Sequence, residues 1–113
     1  MTQILIIAEH ANDQLNPSTA KTLTAAKQMG AARIDIAVFA ADPAPVAAQA
    51  ALLDGVGRVL TIANAANANA LAAVLAPQVV ALAANYTHVL GPSTTFGKGL
   101  MPRVAALLGD AQV

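Results

Sequence analysis

Stretches of consecutive apolar residues alternate along the chain with segments whose apolar residues recur every three or four positions. Four strand-like stretches lie at residues 4–8, 34–40, 58–63 and 87–91. The first, Ile-Leu-Ile-Ile-Ala, has no polar alternation, which is typical of a parallel strand buried on both faces. Strands that alternate with helices in this way indicate an α/β domain.

Capping residues bound the first two predicted helices. Asn16 and Pro17 begin the first helix, and Gly30 ends it. Asp42 caps the second helix, which runs toward Gly55. The first helix lies between the first and second predicted strands and the second helix between the second and third, so each should connect two parallel strands.

Prolines bear on the last two predicted helices. The third helical region covers residues 69–84, and Pro77 is expected to divide it into a short piece ending at Leu75 and a second helix that begins near Pro77. The final helix extends to about Leu108, with Pro102 expected in a first turn.

These elements predict one three-layer, Rossmann-like domain over residues 1–113, with right-handed crossovers and strand order 3-2-1-4. Residues 109–113 read as a loop and the first residues of a fifth strand, truncated where the sequence stops. In such sheets ligands bind beyond the carboxyl ends of the strands, where the strand order reverses. The segments that follow Ala8 and Leu90 are therefore the places to look for a site.

Composition narrows the function. Six basic and six acidic residues give a formal net charge of zero, and the scattered basic residues argue against a nucleic-acid partner. The absence of cysteine excludes disulfides, cysteine-ligated zinc and thiol catalysis. The most apolar stretch, residues 70–84, is interrupted by proline and glutamine and rich in alanine, so it favours a buried helix over a membrane span. Without a signal or transit pattern at the start, the chain is predicted to be cytoplasmic.

Glu9 and His10 follow the first strand and could form an acid/base pair. Adjacent residues leaving a strand point in opposite directions, however, so they should not converge on one substrate atom. The favoured interpretation is a polar strand end that hydrogen-bonds the neighbouring loop.

The second candidate is the loop at residues 91–99, Gly-Pro-Ser-Thr-Thr-Phe-Gly-Lys-Gly, which could hold a phosphate or another anion at a helix N-terminus. It is neither a Walker A loop, because five residues separate Gly91 from Gly97 and Gly99 follows Lys98, nor a G-x-G-x-x-G motif. The favoured interpretation is a strand-to-helix turn in which Thr94 and Thr95 satisfy helix-end donors and Phe96 packs inward.

His88 lies in the fourth strand pattern without a second ligand at metal spacing, so a structural role is favoured over metal binding. The carboxylates are dispersed, and no serine is recognisably paired with a base. The sequence therefore assigns no catalytic, cofactor-binding or metal-binding residue.

Three segments resemble one known family along the whole chain. They are residues 4–10 (ILIIAEH), the Leu15-Asn16-Pro17 helix start, and residues 92–98 (PSTTFGK) followed by Leu100, Pro102 and Arg103. In this order they resemble the N-terminal part of the electron transfer flavoprotein alpha subunit. The resemblance implies an adenine-nucleotide-hydrolase-like fold without enzymatic activity of its own.

The resemblance further implies an αβ heterodimer that uses FAD to carry electrons from acyl-CoA and related dehydrogenases, as in fatty acid β-oxidation, to a membrane-bound quinone oxidoreductase. It implies a structural AMP in the beta subunit and FAD in a C-terminal domain of the alpha subunit, whose binding residues have no counterpart here. The chain would then be a scaffold that packs against the beta subunit and transfers no electrons alone. The alternatives are a universal-stress-like module that binds an adenine nucleotide over residues 91–99, and a small hydrolase using His10.

Overall fold

The computed structural model describes residues 2–11, 13–69 and 71–108. The strands are β1 (Gln3–Ile7), β2 (His10–Ala11), β3 (Gln14–Leu15), β4 (Arg33–Ala40), β5 (Arg58–Ala63) and β6 (His88–Leu90). The helices are α1 (Ser18–Gln28), α2 (Ala44–Ala50), α3 (Ala72–Ala83) and α4 (Thr95–Leu108), with a 3₁₀ helix over Ala65–Asn69.

The main sheet has four parallel strands in the order β5-β4-β1-β6. This confirms the order expected from the sequence, since β4, β5 and β6 are the second, third and fourth predicted strands. In the register, Ile6 of β1 lies opposite Ile36 of β4 on one side and Leu90 of β6 on the other. The strand order therefore reverses between β1 and β6.

Helices cover both faces of the sheet and confirm the three-layer architecture. One face packs against α1 and α2 through a cluster of buried residues: Ile4, Ile6, Ala8, Leu23, Ala26, Ile34, Ile36, Val38, Val46 and Ala50. The other packs against α3 and α4 through a second cluster: Leu5, Ile7, Ala37, Phe39, Leu75, Ala76, Val79, Ala83, Val89, Leu100 and Val104. Because β1 and β4 contribute to both clusters, both of their faces are apolar, apart from Asp35 in β4.

The predicted caps lie at the ends of α1 and α2. The Oδ1 atom of Asn16 accepts a hydrogen bond of 2.8 Å from the Ser18 N–H, and Gly30 follows α1 with a φ of 71°. The Oδ1 atom of Asp42 accepts one of 3.3 Å from the Ala44 N–H. The second helix is shorter than predicted, however: it ends at Ala50, and a turn leads to Gly55, whose φ is 94°.

The predicted break at Pro77 is wrong. Residues 72–83 form one helix with Pro77 in its interior. The missing N–H of Pro77 leaves the Ala73 carbonyl without its helical partner, a loss of about 3 kcal/mol. Leu75 and Val79, buried on either side of the proline, hold the helix together by packing.

Pro102 is likewise inside a helix, because α4 begins seven residues earlier at Thr95. The expectation that Pro102 lies in a first turn is therefore wrong. Leu100 and Val104 flank it and are both buried in the core. Burial outweighs the local preference here as it does in α3.

The segment expected to be a polar loop after β1 contains a small hairpin. His10 lies opposite Leu15, and Ala11 opposite Gln14, in two antiparallel strands of two residues each. Strands this short carry no hydrophobic pattern that could predict them. The expected fifth strand at residues 109–113 lies outside the described residues.

Candidate functional site

The crevice at the reversal of the strand order is filled by the chain's own side chains. His10, Phe39 and Phe96 meet there with Ala8 and Leu75 around a cavity of only about 10 Å³. The Nε2 atom of His10 lies 3.0 Å from the carbonyl oxygen of Phe39, so the hairpin is attached to the end of β4. A cavity of this size holds at most about one water molecule. The space among these five side chains is therefore too small for a ligand.

Glu9 and His10 contact different elements, as the alternation along a strand predicts. The Ser18 hydroxyl donates a hydrogen bond of 3.0 Å to Oε1 of Glu9, whereas His10 reaches Phe39. The Glu9 N–H also donates to the Thr19 hydroxyl, at 3.3 Å. The two side chains therefore hold α1 and β4 to the hairpin segment and do not converge on a common point.

The loop at residues 91–99 forms the start of α4. The Thr94 hydroxyl accepts a 3.3 Å hydrogen bond from the Gly97 N–H, and the Thr94 carbonyl accepts one of 2.8 Å from the Lys98 N–H. Phe96 packs against the core, as predicted. The Thr95 side chain makes no hydrogen bond to the described residues, so Thr94 alone fills the predicted capping role.

Gly97 is required by a close approach between backbones. A Cβ atom at this position would lie 1.8 Å from the carbonyl oxygen of Pro92, which cannot move aside as a flexible side chain could. Gly99, in the next turn, has nothing within 4 Å of its Cβ position. Of these two glycines, Gly97 is therefore required by a backbone contact and Gly99 is not.

A larger, open cavity of about 360 Å³ lies between α1 and the segment that follows β6. It is lined by Ser18, Lys21, Thr22, Ala25, Leu90, Gly91, Ser93 and Thr94. Two of the hydroxyls donate hydrogen bonds elsewhere: that of Thr22 to the Ser18 carbonyl at 2.9 Å, and that of Ser18 to Glu9. Lys21 and Ser93 are the exposed polar residues of the lining.

His88 makes a local contact of 2.9 Å between its Nδ1 and the hydroxyl of Thr87. Among residues 2–11, 13–69 and 71–108, no three acidic, histidine or cysteine side chains are grouped as a metal site would require. In the same ranges no helix is both long and apolar enough to cross a membrane.

The most concentrated electrostatic feature lies at the opposite, amino-terminal end of the sheet. Asp35 is completely buried, and its Oδ1 accepts a 3.0 Å hydrogen bond from the Arg58 N–H. Its Oδ2 accepts hydrogen bonds from Nη2 of Arg58 at 3.1 Å and from the Tyr86 hydroxyl at 2.5 Å. Nε of Arg33 lies 3.3 Å from the same oxygen. We call these four residues the Asp35 cluster.

Two pKa values reflect this arrangement. The pKa of Arg58 is raised, chiefly by its hydrogen bond to the Asp35 carboxylate. The pKa of Tyr86 is raised first by burial and then by its hydrogen bond to Asp35, because both disfavour the phenolate. The carboxylate thus favours the charged form of Arg58 and the neutral form of Tyr86.

Sequence reasoning missed the Asp35 cluster, although a signal was present. Asp35 interrupts an otherwise apolar strand that is buried on both faces, and a buried carboxylate requires paired donors. Arg33, two residues earlier, lies on the same side of the strand and is its nearest candidate partner along the sequence. Arg58 and Tyr86 are 23 and 51 residues away in the chain and could not be assigned.

Fold and site together define a Rossmann-like α/β domain in which side chains fill the crevice around Phe96 at the carboxyl ends of the strands. The family model described as the electron transfer flavoprotein domain matches residues 4–113. The chain belongs to the electron transfer flavoprotein family.

Three relatives agree with this assignment. The electron transfer flavoprotein subunit alpha of Pseudomonas aeruginosa is 46% identical over 110 residues, covering 97% of this chain and 35% of the relative. The subunit alpha of Paracoccus denitrificans is 40% identical, covering 93% and 34%, and the mitochondrial subunit alpha of Dictyostelium discoideum is 36% identical, covering 96% and 33%. The chain thus spans about a third of the length of the curated relatives it matches.

Proposed function

We propose that residues 1–113 form the N-terminal α/β domain of an electron transfer flavoprotein alpha subunit and serve as its scaffold for assembly. The closed crevice around His10 and Phe96 carries the proposal, because its cavity of about 10 Å³ leaves no room for a cofactor. Ligand pockets usually measure about 300–1,000 Å³. The family membership supplies the electron-transfer context.

In this proposal the parent protein pairs with a beta subunit that carries a structural AMP. With FAD it passes electrons from acyl-CoA and related dehydrogenases to a quinone oxidoreductase, in the cytoplasm. When bound, FAD supplies the electron-carrying chemistry. The described residues do not fit FAD, since the crevice is filled and the open cavities beside Lys21 and beside Asp42, of about 360 Å³ and about 290 Å³, lie near the lower limit of pocket size. FAD is therefore assigned to the part of the parent outside this chain.

Two measurements test the scaffold proposal. The natural gene product is expected to have an intact mass about three times that of this chain, and to purify with a second subunit and bound flavin. Residues 1–113 produced alone should show no flavin absorbance after incubation with FAD and dialysis. A natural product of only 113 residues, or tight FAD binding to this region alone, would contradict the proposal.

A free-standing adenine-nucleotide module is the second candidate, favoured by the cavity of about 360 Å³ lined by Lys21, Ser93 and Thr94 at the start of α4. Calorimetric titration of residues 1–113 with AMP and ADP tests this candidate. Micromolar binding that is weakened by Lys21→Gln would support it. Lys27→Gln is the matched control, because it removes the same charge from the same helix at a residue outside the cavity lining. Equal, negligible heats for all three proteins would favour the scaffold.

A further inference from the structure

Two arginines of the Asp35 cluster share a single carboxylate. Asp35 is fully buried, whereas the side chains of Arg33 and Arg58 are 38% and 57% exposed. Two positive charges against one negative charge leave this cluster with an excess of one positive charge, on a chain whose formal net charge is zero. The amino-terminal end of the sheet therefore presents two partly exposed guanidinium groups.

Both guanidinium groups are already held in position. Arg58 is oriented by its hydrogen bonds to the Asp35 carboxylate, with Nη2 at 3.1 Å. The Cζ atom of Arg33 lies 5.5 Å from the centroid of the Tyr86 ring, a cation–π distance, and its Nη2 donates to Oε1 of Gln3 at 3.4 Å. Because these contacts restrict the side chains, binding a further group costs less conformational entropy than it would with mobile arginines.

Donors remain available on both arginines. A guanidinium group has five N–H donors, and neither Nη1 atom has a hydrogen-bond partner among the described residues. Donors of this fixed geometry match a carboxylate in a bidentate arrangement. Since neither arginine lines the cavities described above, the recognition surface is open, which fits a protein partner better than a small metabolite.

We propose that Arg33 and Arg58 bind a carboxylate side chain of the second subunit, so that the amino-terminal end of this sheet is a docking point in the assembled flavoprotein. This inference rests on the proposed function and adds to it the location and chemistry of the contact. Asp35 is the positioning residue, because it orients the arginines from within the core. The partner is expected to present an aspartate or glutamate at the centre of its matching surface.

Subunit association in the full-length complex tests the docking point. The variants are Arg33→Gln, Arg33→Lys and the control Arg103→Gln, which removes the same charge from an exposed position on α4. Association is measured as the dissociation constant at low and at high sodium chloride concentration, and the melting temperature of each isolated alpha subunit is recorded alongside. Arg33→Lys keeps the positive charge but lacks the planar guanidinium group that binds a carboxylate in a bidentate arrangement. It therefore tests the geometry of the contact separately from its charge, even if Arg33→Gln folds poorly.

The proposal predicts about tenfold weaker association for Arg33→Gln at low salt, a smaller loss for Arg33→Lys and no change for Arg103→Gln. It also predicts that the wild type depends more steeply on salt than Arg33→Gln does. Equal affinities for the wild type, Arg33→Gln and Arg103→Gln would overturn the docking point and leave the scaffold proposal intact. A wild-type chain that associates with no second subunit would overturn both.

Discussion

The two ends of the parallel sheet are stabilised in different ways. At the carboxyl end, His10, Phe39 and Phe96 meet in a nearly filled crevice, where the His10 side chain contacts the Phe39 carbonyl oxygen at 3.0 Å. At the amino end, Asp35 is buried beneath two arginines and a tyrosine that come from three separate parts of the chain. The crevice at the carboxyl end is therefore filled mainly by apolar packing, whereas the amino end is stabilised by ion pairs and hydrogen bonds to a buried carboxylate.

In open α/β sheets the carboxyl ends of the strands usually bind ligands, so the charged cluster at the amino end is an unusual feature of this domain. Here two arginines with spare donors lie at the amino end, whereas at the carboxyl end the crevice around Phe96 is filled and open cavities of about 360 Å³ and about 290 Å³ lie beside it. Four substitutions test whether the two ends differ as the structure indicates.

Asp35→Ala should have the largest effect. It would leave the Arg33 and Arg58 charges close together without their shared carboxylate and remove the acceptor of the Tyr86 hydroxyl. We expect a loss of about 3–5 kcal/mol in the free energy of unfolding, measured by urea denaturation. Asp54→Ala is the matched control, because Asp54 is fully exposed and its pair with Lys27, at 3.6 Å, is solvated, so no measurable change is expected. If Asp35→Ala lowered the free energy of unfolding no more than Asp54→Ala does, the Asp35 cluster would not be stabilising.

Gly97→Ala tests the close packing at the carboxyl end. The added methyl group would collide with the Pro92 carbonyl, and overpacking of this kind costs about 1–3 kcal/mol. Gly99→Ala should instead be neutral or stabilising by up to about 1 kcal/mol, since its Cβ position is open and alanine favours the helix. Thermal unfolding of both variants provides the comparison, and a stable Gly97→Ala protein would contradict the described approach of α4 to Pro92.

Tyr86→Phe separates the hydrogen bond from the packing of the ring. At neutral pH we expect a loss of about 1.5 kcal/mol, because one of the donors to a charged acceptor is removed. The ordinary tyrosine pKa is about 10, and folding raises that of Tyr86, so the unfolded chain loses this proton first as the pH rises. The contribution of the Tyr86 hydrogen bond to the free energy of unfolding is therefore complete below about pH 10 and declines above it.

The stability gap between the wild type and Tyr86→Phe should accordingly narrow at alkaline pH. Tyr86 is the only tyrosine and the chain has no tryptophan, so the ultraviolet absorbance of the phenolate reports its titration directly. A phenolate that forms at the ordinary tyrosine pKa in the folded protein would contradict the contact with Asp35.

His10→Ala should have the smallest effect of the four. The substitution removes a single contact to the Phe39 carbonyl from a half-buried side chain, and we expect a loss of about 1 kcal/mol in the free energy of unfolding. The subunit association and flavin content of the full-length complex should be unchanged. Loss of flavin with stability preserved would instead indicate a functional role for His10 and reopen the carboxyl end as a site.

The sequence predicted the fold well because local signals and the sheet's burial agree. Apolar-rich stretches marked the four strands of the main sheet, and Asn16, Asp42 and Gly30 marked helix ends. Pro77 and Pro102 were misplaced because local propensity was weighed without the core contacts of Leu75, Val79, Leu100 and Val104 that keep both helices continuous. The hairpin at His10 and Leu15 was missed because strands of two residues leave no periodic pattern.

The sequence by itself determined the layered α/β architecture, the strand order and the family, since each depends on patterns read along consecutive residues or on ordered motifs. Only the tertiary structure decided that the crevice is filled by His10, Phe39 and Phe96, and that Arg33, Arg58 and Tyr86 surround Asp35. These contacts join residues far apart in the chain: Tyr86 lies 51 positions from Asp35, and Phe96 lies further still from His10. They depend on how crossovers bring strand ends together in space, and no periodicity along the chain encodes that proximity.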